Sequence, residues 1–212
     1  MLSENLFEDD TMNGDMAFRI LFVLAFLAMM TIRVYYQWKV LQAKDEIKIR
    51  ENSVSLAAGS IAALTTIVFG AEYIFQPGLF SFAYILHYPY WLRWPGALAL
   101  IGGIILLASS HRHLGRSFHS LVMSKGNQVL VKTGPYRWVR HPIYTAYLLA
   151  YIGGGLASSN LVLTAIPPTM FAIMVSMRMG REEEVLKERF GQEYSKYMQQ
   201  TGRLLPRLRR HV

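Results

Sequence analysis

Arg140-His141-Pro142-Ile143-Tyr144 sets a guanidinium, an imidazole and a phenol at the mouth of an apolar run. Two readings of this pentapeptide stand level. As structure, it is a helix start, because proline suits the first helical turn and Arg and His are ordinary interface residues. As chemistry, the free N–H groups of that turn, the imidazole and the hydroxyl converge on one spot able to hold a polar, partly anionic ligand. A second candidate is Arg178 with Glu182, directly after the last apolar run. At i,i+4 they form an ordinary helix salt bridge. A charge at the end of a spanning helix is also costly to leave unpaired, which makes it a functional candidate. Glu183 and Glu184 read as a solvated face.

Other chemistries lack their residues. There is no cysteine, and so no disulfide, thiolate metal site or cysteine nucleophile. No phosphate-binding glycine loop, zinc-hydrolase motif or serine elbow occurs. His111 and His113, two apart near a helix end, should face different ways, so no metal site is expected. Gly153-Gly154-Gly155 falls inside an apolar run, where close helix packing explains it.

The elements that must position these groups are membrane helices. Of 212 residues, 52% are hydrophobic and only 17% charged, and the apolar residues come in runs approaching about 20 residues. Spans are expected at residues 16–37, 54–75, 95–110, 143–157 and 161–177, with the aromatic stretch 79–94 as an interfacial loop. Glu72 should be interfacial, and Pro167-Pro168 should kink the fifth span. Residues 1–15 are acidic and do not resemble a secretory signal; they read as a polar, mobile N-terminus. Residues 180–200 place Val185, Leu186, Phe190, Tyr194 and Tyr197 at helical spacing, which predicts a C-terminal amphipathic helix along the membrane or capping the bundle.

The net charge of +8 is distributed as a topology signal. Lys and Arg number four in residues 39–52, six in 111–141 and nine after Met177, against Arg19 and Arg93 on the other side. An all-α membrane protein with five transmembrane helices follows, N-terminus outside and C-terminus cytoplasmic. Both polar stretches then share the cytoplasmic side. Basic residues beside apolar runs meet lipid headgroups, so membrane lipids rather than nucleic acid are the expected partners.

In order, V-L-V-x-x-G-P-Y-x-x-x-R-H-P-x-Y, then Arg-x-x-x-Glu, then F-G-x-E-Y-x-x-Y and a late L-L-P run from Val129 to Pro206. This set resembles the isoprenylcysteine carboxyl methyltransferase family, and more distantly membrane phospholipid N-methyltransferases. The resemblance covers roughly residues 118–206, while the first two spans are generic. It implies a single methyltransferase domain, residues 1–212, with cofactor-binding elements 118–144 and 178–206. It implies S-adenosylmethionine as cofactor and S-adenosylhomocysteine as product. Gln128, Val129, Leu130 and Val131 would line the cofactor, partly by backbone, and Tyr136 with His141, Pro142, Ile143 and Tyr144 would complete its wall. Glu182 would meet the cofactor's ammonium group, and Arg178 the substrate carboxylate. Eukaryotic members carry His where this chain has Gln128.

The expected activity is methylation of the carboxylate of a lipid-linked, prenylcysteine-like acceptor that enters from the bilayer. The multi-pass protein would sit in the cell membrane of a prokaryote or the endoplasmic reticulum of a eukaryote. A phospholipid or lipid-amine N-methyltransferase is the alternative of the same class, and a non-enzymatic scaffold or transporter that of another. No inverted repeat supports transport.

Overall fold

The computed structural model describes residues 2–42, 52–120 and 129–207, with side chains from 14–39, 52–114 and 129–207. Five helices account for most of them: α1 Leu2–Gln42, α2 Ser53–Phe75, α3 Tyr90–Ser120, α4 Pro142–Ser158 and α5 Leu161–Gln200. No strand occurs among the described residues, and the one isolated bridge there pairs Val139 with Gly202.

Four helices carry segments long and apolar enough to cross a membrane: α1, α2, α3 and α5. α4 has 17 residues, about 26 Å of helix against a hydrocarbon core of roughly 30 Å. Leu24, Leu27, Leu64, Ile67, Leu98 and Ile105 are each more than half exposed. So much open aliphatic surface belongs in lipid.

Helix ends follow local chemistry. Asn52 caps α2 by accepting from the Val54 N–H at 3.2 Å, and Asn160 caps α5 by accepting from Leu163 at 3.0 Å. Ser159, at φ 53°, closes α4 in the left-handed region, so residues 158–160 make the expected tight turn. Glu72 is buried. Its two oxygens accept from the Gly78 N–H and the Tyr84 hydroxyl, both at 2.7 Å, and fold the turn after α2 against the helix end.

Several boundaries differ from those expected. The acidic N-terminal residues from Leu2 are the first turns of α1, since Glu and Asp suit a helix start. α3 begins at Tyr90, inside the aromatic stretch, and continues past His111 to Ser120. Helical dihedrals persist through Pro167-Pro168, and the break in α5 falls at Gly191 instead (φ 53°, ψ −123°). The amphipathic segment is therefore no separate helix: as far as Phe190 it continues the last apolar run. The connector at residues 43–51 lies outside the described residues.

Small residues set the packing. α3 and α4 approach backbone to backbone: a Cβ on Gly103 would stand 2.8 Å from the Ala146 carbonyl oxygen, and one on Gly96 would stand 2.9 Å from the Ala157 nitrogen. Gly153 is pressed against the Leu100 backbone, so the glycine run serves packing. α1 lies along this pair through Phe18, Ala97 and Ala157, and through Ala25, Leu100 and Ala150. α2 packs on α5 around Ala62, Phe171, Val175 and Met179, where Tyr144, Tyr147 and Tyr151 of α4 join.

Replacing Gly153 by Ala should destabilise the detergent-solubilised protein by about 1–3 kcal/mol. Gly102→Ala, whose Cβ meets nothing within 4 Å, should be neutral or slightly stabilising. Thermal unfolding of both variants checks this.

Candidate functional site

The chain between α3 and α4 and the chain after α5 are bound together at one end of the bundle. The Arg140 N–H donates to the Gly202 carbonyl (2.9 Å), the Gly202 N–H to Trp138 (3.1 Å), and the His141 N–H to Arg203 (3.0 Å). The Thr145 hydroxyl donates to the Leu204 carbonyl at 2.7 Å, and the Tyr197 hydroxyl to the Tyr136 carbonyl at 2.6 Å. Upstream, Gly134 turns at φ 58° with the His113 ring lying where its Cβ would be. That contact fixes the connector to α3. His111 meanwhile stacks on Tyr36 at 4.2 Å. The two histidines do serve different surroundings, as their spacing predicts.

Beneath this clip lies a buried ion cluster. Glu183 accepts from Arg140 Nε at 2.9 Å and from Arg203 Nη2 at 2.7 Å. Arg140 Nη1 also donates to the Met198 and Thr201 carbonyls, at 3.2 and 2.5 Å. The Glu183 side chain is 3% exposed and that of Arg140 8%. Glu183 is therefore not a solvated carboxylate, because helical geometry turns it onto the buried stripe of Phe171, Val175 and Met179. Glu184, one residue on, is exposed as expected.

His141 joins this cluster to a second one. Its Nε2 stands 3.4 Å from Glu183 Oε1 without hydrogen-bond geometry, and its Nδ1 stands 3.6 Å from Glu182 Oε2. Its ring stacks on Tyr144 at 5.6 Å, and the Tyr144 hydroxyl donates to Glu182 Oε1 at 2.5 Å. Arg178 Nε lies 3.7 Å from the same oxygen. Exposure rises in order, from 3% at Glu183 to 22% at Glu182 and 34% at Arg178. Glu183 and His141 form the closed part of the cluster, and its open parts are the Arg178–Glu182 pair and the half-exposed Arg203.

Burial lowers the His141 pKa from its ordinary 6.5, against the pull of Glu182 and Glu183. The imidazole is therefore neutral at pH 7. Burial also raises the Tyr136 hydroxyl, with Tyr197 and Glu182 adding to the shift. Tyr136 and Pro142 are buried, Ile143 and Tyr144 partly so. Val129 is 70% exposed, while Leu130 and Val131 are half-covered. Gln128 lies outside the described residues, as do residues 121–127 before it. The structure thus brings Tyr136, His141, Tyr144, Arg178 and Glu182 together, with Pro142 and Ile143 beside them as the first turn of α4.

Arg203 and Thr145 had no sequence signal, and although Arg140 and Tyr197 stood in the motifs, their partners, Glu183 and the Tyr136 carbonyl, are distant in the chain. Glu183 had one: it continues the i,i+4 series through Phe171, Val175 and Met179.

A partly open carboxylate fits an ammonium group, and a neutral, stacked imidazole beside a phenol fits the flank of an amino-acid-bearing cofactor. The donor set present suits S-adenosylmethionine.

The sequence profile of the isoprenylcysteine carboxyl methyltransferase (ICMT) family matches residues 96–188. A protein-S-isoprenylcysteine O-methyltransferase of Saccharomyces cerevisiae is 31% identical over 192 residues, covering 88% of this chain and 78% of its own. The cobalt-zinc-cadmium resistance protein CzcN of Cupriavidus metallidurans is 33% identical over 119 residues, 55% of each chain. This chain spans about half the length of the first curated relatives it matches. A solved structure of a eukaryotic intramembrane Ras methyltransferase, ICMT, is similar at TM-score 0.50 and 25% identity, over 74% of this chain and 54% of that one.

Glu183→Ala would leave Arg140 buried without its counter-charge, and should lower stability by about 3–5 kcal/mol. Glu184→Ala should stay within about 0.5 kcal/mol. Thermal unfolding of the two variants separates them. A depressed His141 pKa means that the unfolded chain takes up a proton before the folded one does. Its stabilising contribution is complete above about pH 6.5 and lost as the pH falls below that toward the folded value. Unfolding scans should show a shallower loss on acidification in His141→Gln than in wild type.

Proposed function

This chain belongs to the isoprenylcysteine carboxyl methyltransferase family, and we propose that it methylates the carboxylate of a lipid-linked, prenylcysteine-like acceptor at the cytoplasmic membrane face. One observation carries the reading. Arg178 and Glu182, a cation and an anion on one helix turn, stand part-exposed beside a polar cluster whose His141 and Glu183 are sealed. They are suited to hold a substrate carboxylate and a cofactor ammonium side by side. S-adenosylmethionine, when bound, supplies an electrophilic methyl group.

Each residue then has a role. Glu182 binds the ammonium, and Tyr144 orients that carboxylate through its 2.5 Å hydrogen bond. Val129, Leu130 and Val131, with Gln128 before them, line the cofactor. Tyr136, His141, Pro142 and Ile143 form the rest of its wall and exclude water. The Arg178 guanidinium holds the acceptor carboxylate in one plane, which a lysine would do less well. A carboxylate is already deprotonated at neutral pH, so positioning and exclusion of water supply the rate and no general base is needed.

The same reading assigns five crossings, with α4 as the short one, and places the N-terminus outside and the C-terminus in the cytoplasm. The positions of the basic residues support it. The whole chain would act as one methyltransferase unit, its cofactor elements at residues 118–144 and 178–206. Methylation of a lipid amine is the second reading. It requires a proton acceptor, and the neutral His141 imidazole supports it.

Calorimetry with S-adenosylhomocysteine should give saturable binding to the wild type and a loss of at least about tenfold, or 1.4 kcal/mol, in His141→Ala and Glu182→Ala. Arg178→Ala should still bind S-adenosylhomocysteine and yet lose turnover of a prenylcysteine acceptor. Turnover of phosphatidylethanolamine in its place would decide for the amine reading. No binding by folded wild type would return the chain to the scaffold or transporter reading.

A further inference from the structure

A second polar cluster lies at the far end of the bundle. α1 and α3 run side by side in the same direction, Phe18 meeting Ala97 and Tyr36 stacking on His111. At the helical rise, Arg93 stands about 27 Å along α3 from His111, nearly the thickness of the hydrocarbon core. The Arg93 end is therefore the opposite membrane interface. Trp91 and Trp94, 73% and 56% exposed, sit where aromatic side chains meet headgroups.

Arg93 is 6% exposed and its bonds are made. Nε donates to the Ala157 carbonyl at 3.0 Å, Nη1 pairs with Asp15, and the guanidinium rests on the Phe18 ring at 4.3 Å. Arg19, one helical turn beyond Asp15, is different. Its guanidinium carbon stands 5.9 Å from the centre of the Tyr73 ring. Its Nε is buried and has no hydrogen-bond partner among the described residues. Tyr73 is 4% exposed, and its buried hydroxyl lies beside the Arg93 guanidinium with no carboxylate or carbonyl accepting from it among the described residues. Asp15 offsets Arg93, and Glu72 spends both oxygens on Gly78 and Tyr84. The Arg19 charge therefore stands beside the Tyr73 phenol, and the nearby carboxylate, Asp15, is paired with Arg93. Leaving such donors unpaired is expensive.

We propose that Arg19 and Tyr73 form a binding site for the phosphate of a phospholipid in the leaflet opposite the methyltransferase site. A phosphodiester supplies the anionic oxygens that an arginine fork and a phenolic O–H take together. It lies at the depth the tryptophans mark, while its acyl chains run along the exposed apolar faces of α1 and α2. The lipid ties the start of α1 to the end of α2, which otherwise meet through the Phe22–Tyr73 ring pair.

The test is thermal unfolding in dodecyl maltoside, a phosphate-free detergent, with three additives: a short-chain phosphatidylglycerol, a diacylglycerol of the same chains, and sodium phosphate. The phospholipid should raise the wild-type midpoint by roughly 3–5 °C near tenfold saturation, and diacylglycerol should not. Arg19→Gln should abolish the shift, Tyr73→Phe should reduce it, and Arg19→Lys should keep part of it. Cooperative unfolding and monodisperse elution without additive establish that each variant folds, independently of cofactor binding. If Arg19→Gln fails that check, Tyr73→Phe and Arg19→Lys decide. Equal shifts in wild type and variants, or an equal shift from diacylglycerol, would overturn the site. A full Arg19-dependent shift from inorganic phosphate alone would overturn its assignment to lipid.

Discussion

The carboxylate of Glu183 governs the geometry at the working end of this protein. Taken out of water, it is tolerable only because Arg140 and Arg203 reach it from two different stretches of chain. Those cations arrive with backbone attached: the Val139–Gly202 bridge and the bonds on either side of it bring residues 138–141 against 202–204. One buried anion therefore aligns α4, α5 and the C-terminal segment at once. The position of His141 is a by-product of that alignment. The imidazole is fixed by its neighbours before any ligand arrives.

Close packing supplies the rigid backing. Where α3 and α4 touch through Gly96, Gly103 and Gly153, no side chain intervenes to let them slide. The polar cluster stands at the end of that pair, with the softer interface on the side of α2, where Met174 packs against Gly59. Rigid backing and an adaptable flank are what the proposed lipid-linked acceptor would require.

Much of this was legible in the sequence because it is local. Apolar runs and the distribution of Lys and Arg mark the helices, the Ser158–Asn160 turn marks the α4–α5 hairpin, and Arg178 with Glu182 announces itself by spacing. The misplaced features depend on partners remote in the chain. The burial of Glu72 is not legible because its donors, the Gly78 N–H and Tyr84 hydroxyl, become neighbours only when the following turn folds back. Pro167-Pro168 reads as a kink, yet both residues are buried with helical dihedrals, and the break falls at Gly191, where glycine takes a positive φ. Glu183 shows that one helical face can be read too coarsely. Two adjacent glutamates on a charged segment look alike, although a step of 100° sends one inward.

The clip from Gly202 to Leu204 has a consequence for the order in which the molecule is made. A ribosome delivers these residues after α1 to α5, so those apolar helices can enter the bilayer while Arg140 and Glu183 still await Arg203 and the Thr201 carbonyl. Membrane insertion of α1 to α5 and assembly of the polar cluster are thus separate events in biosynthesis, the second awaiting the residues that follow α5. A nascent chain stalled or cut short near Gln200 would be an integrated membrane protein with an unassembled centre.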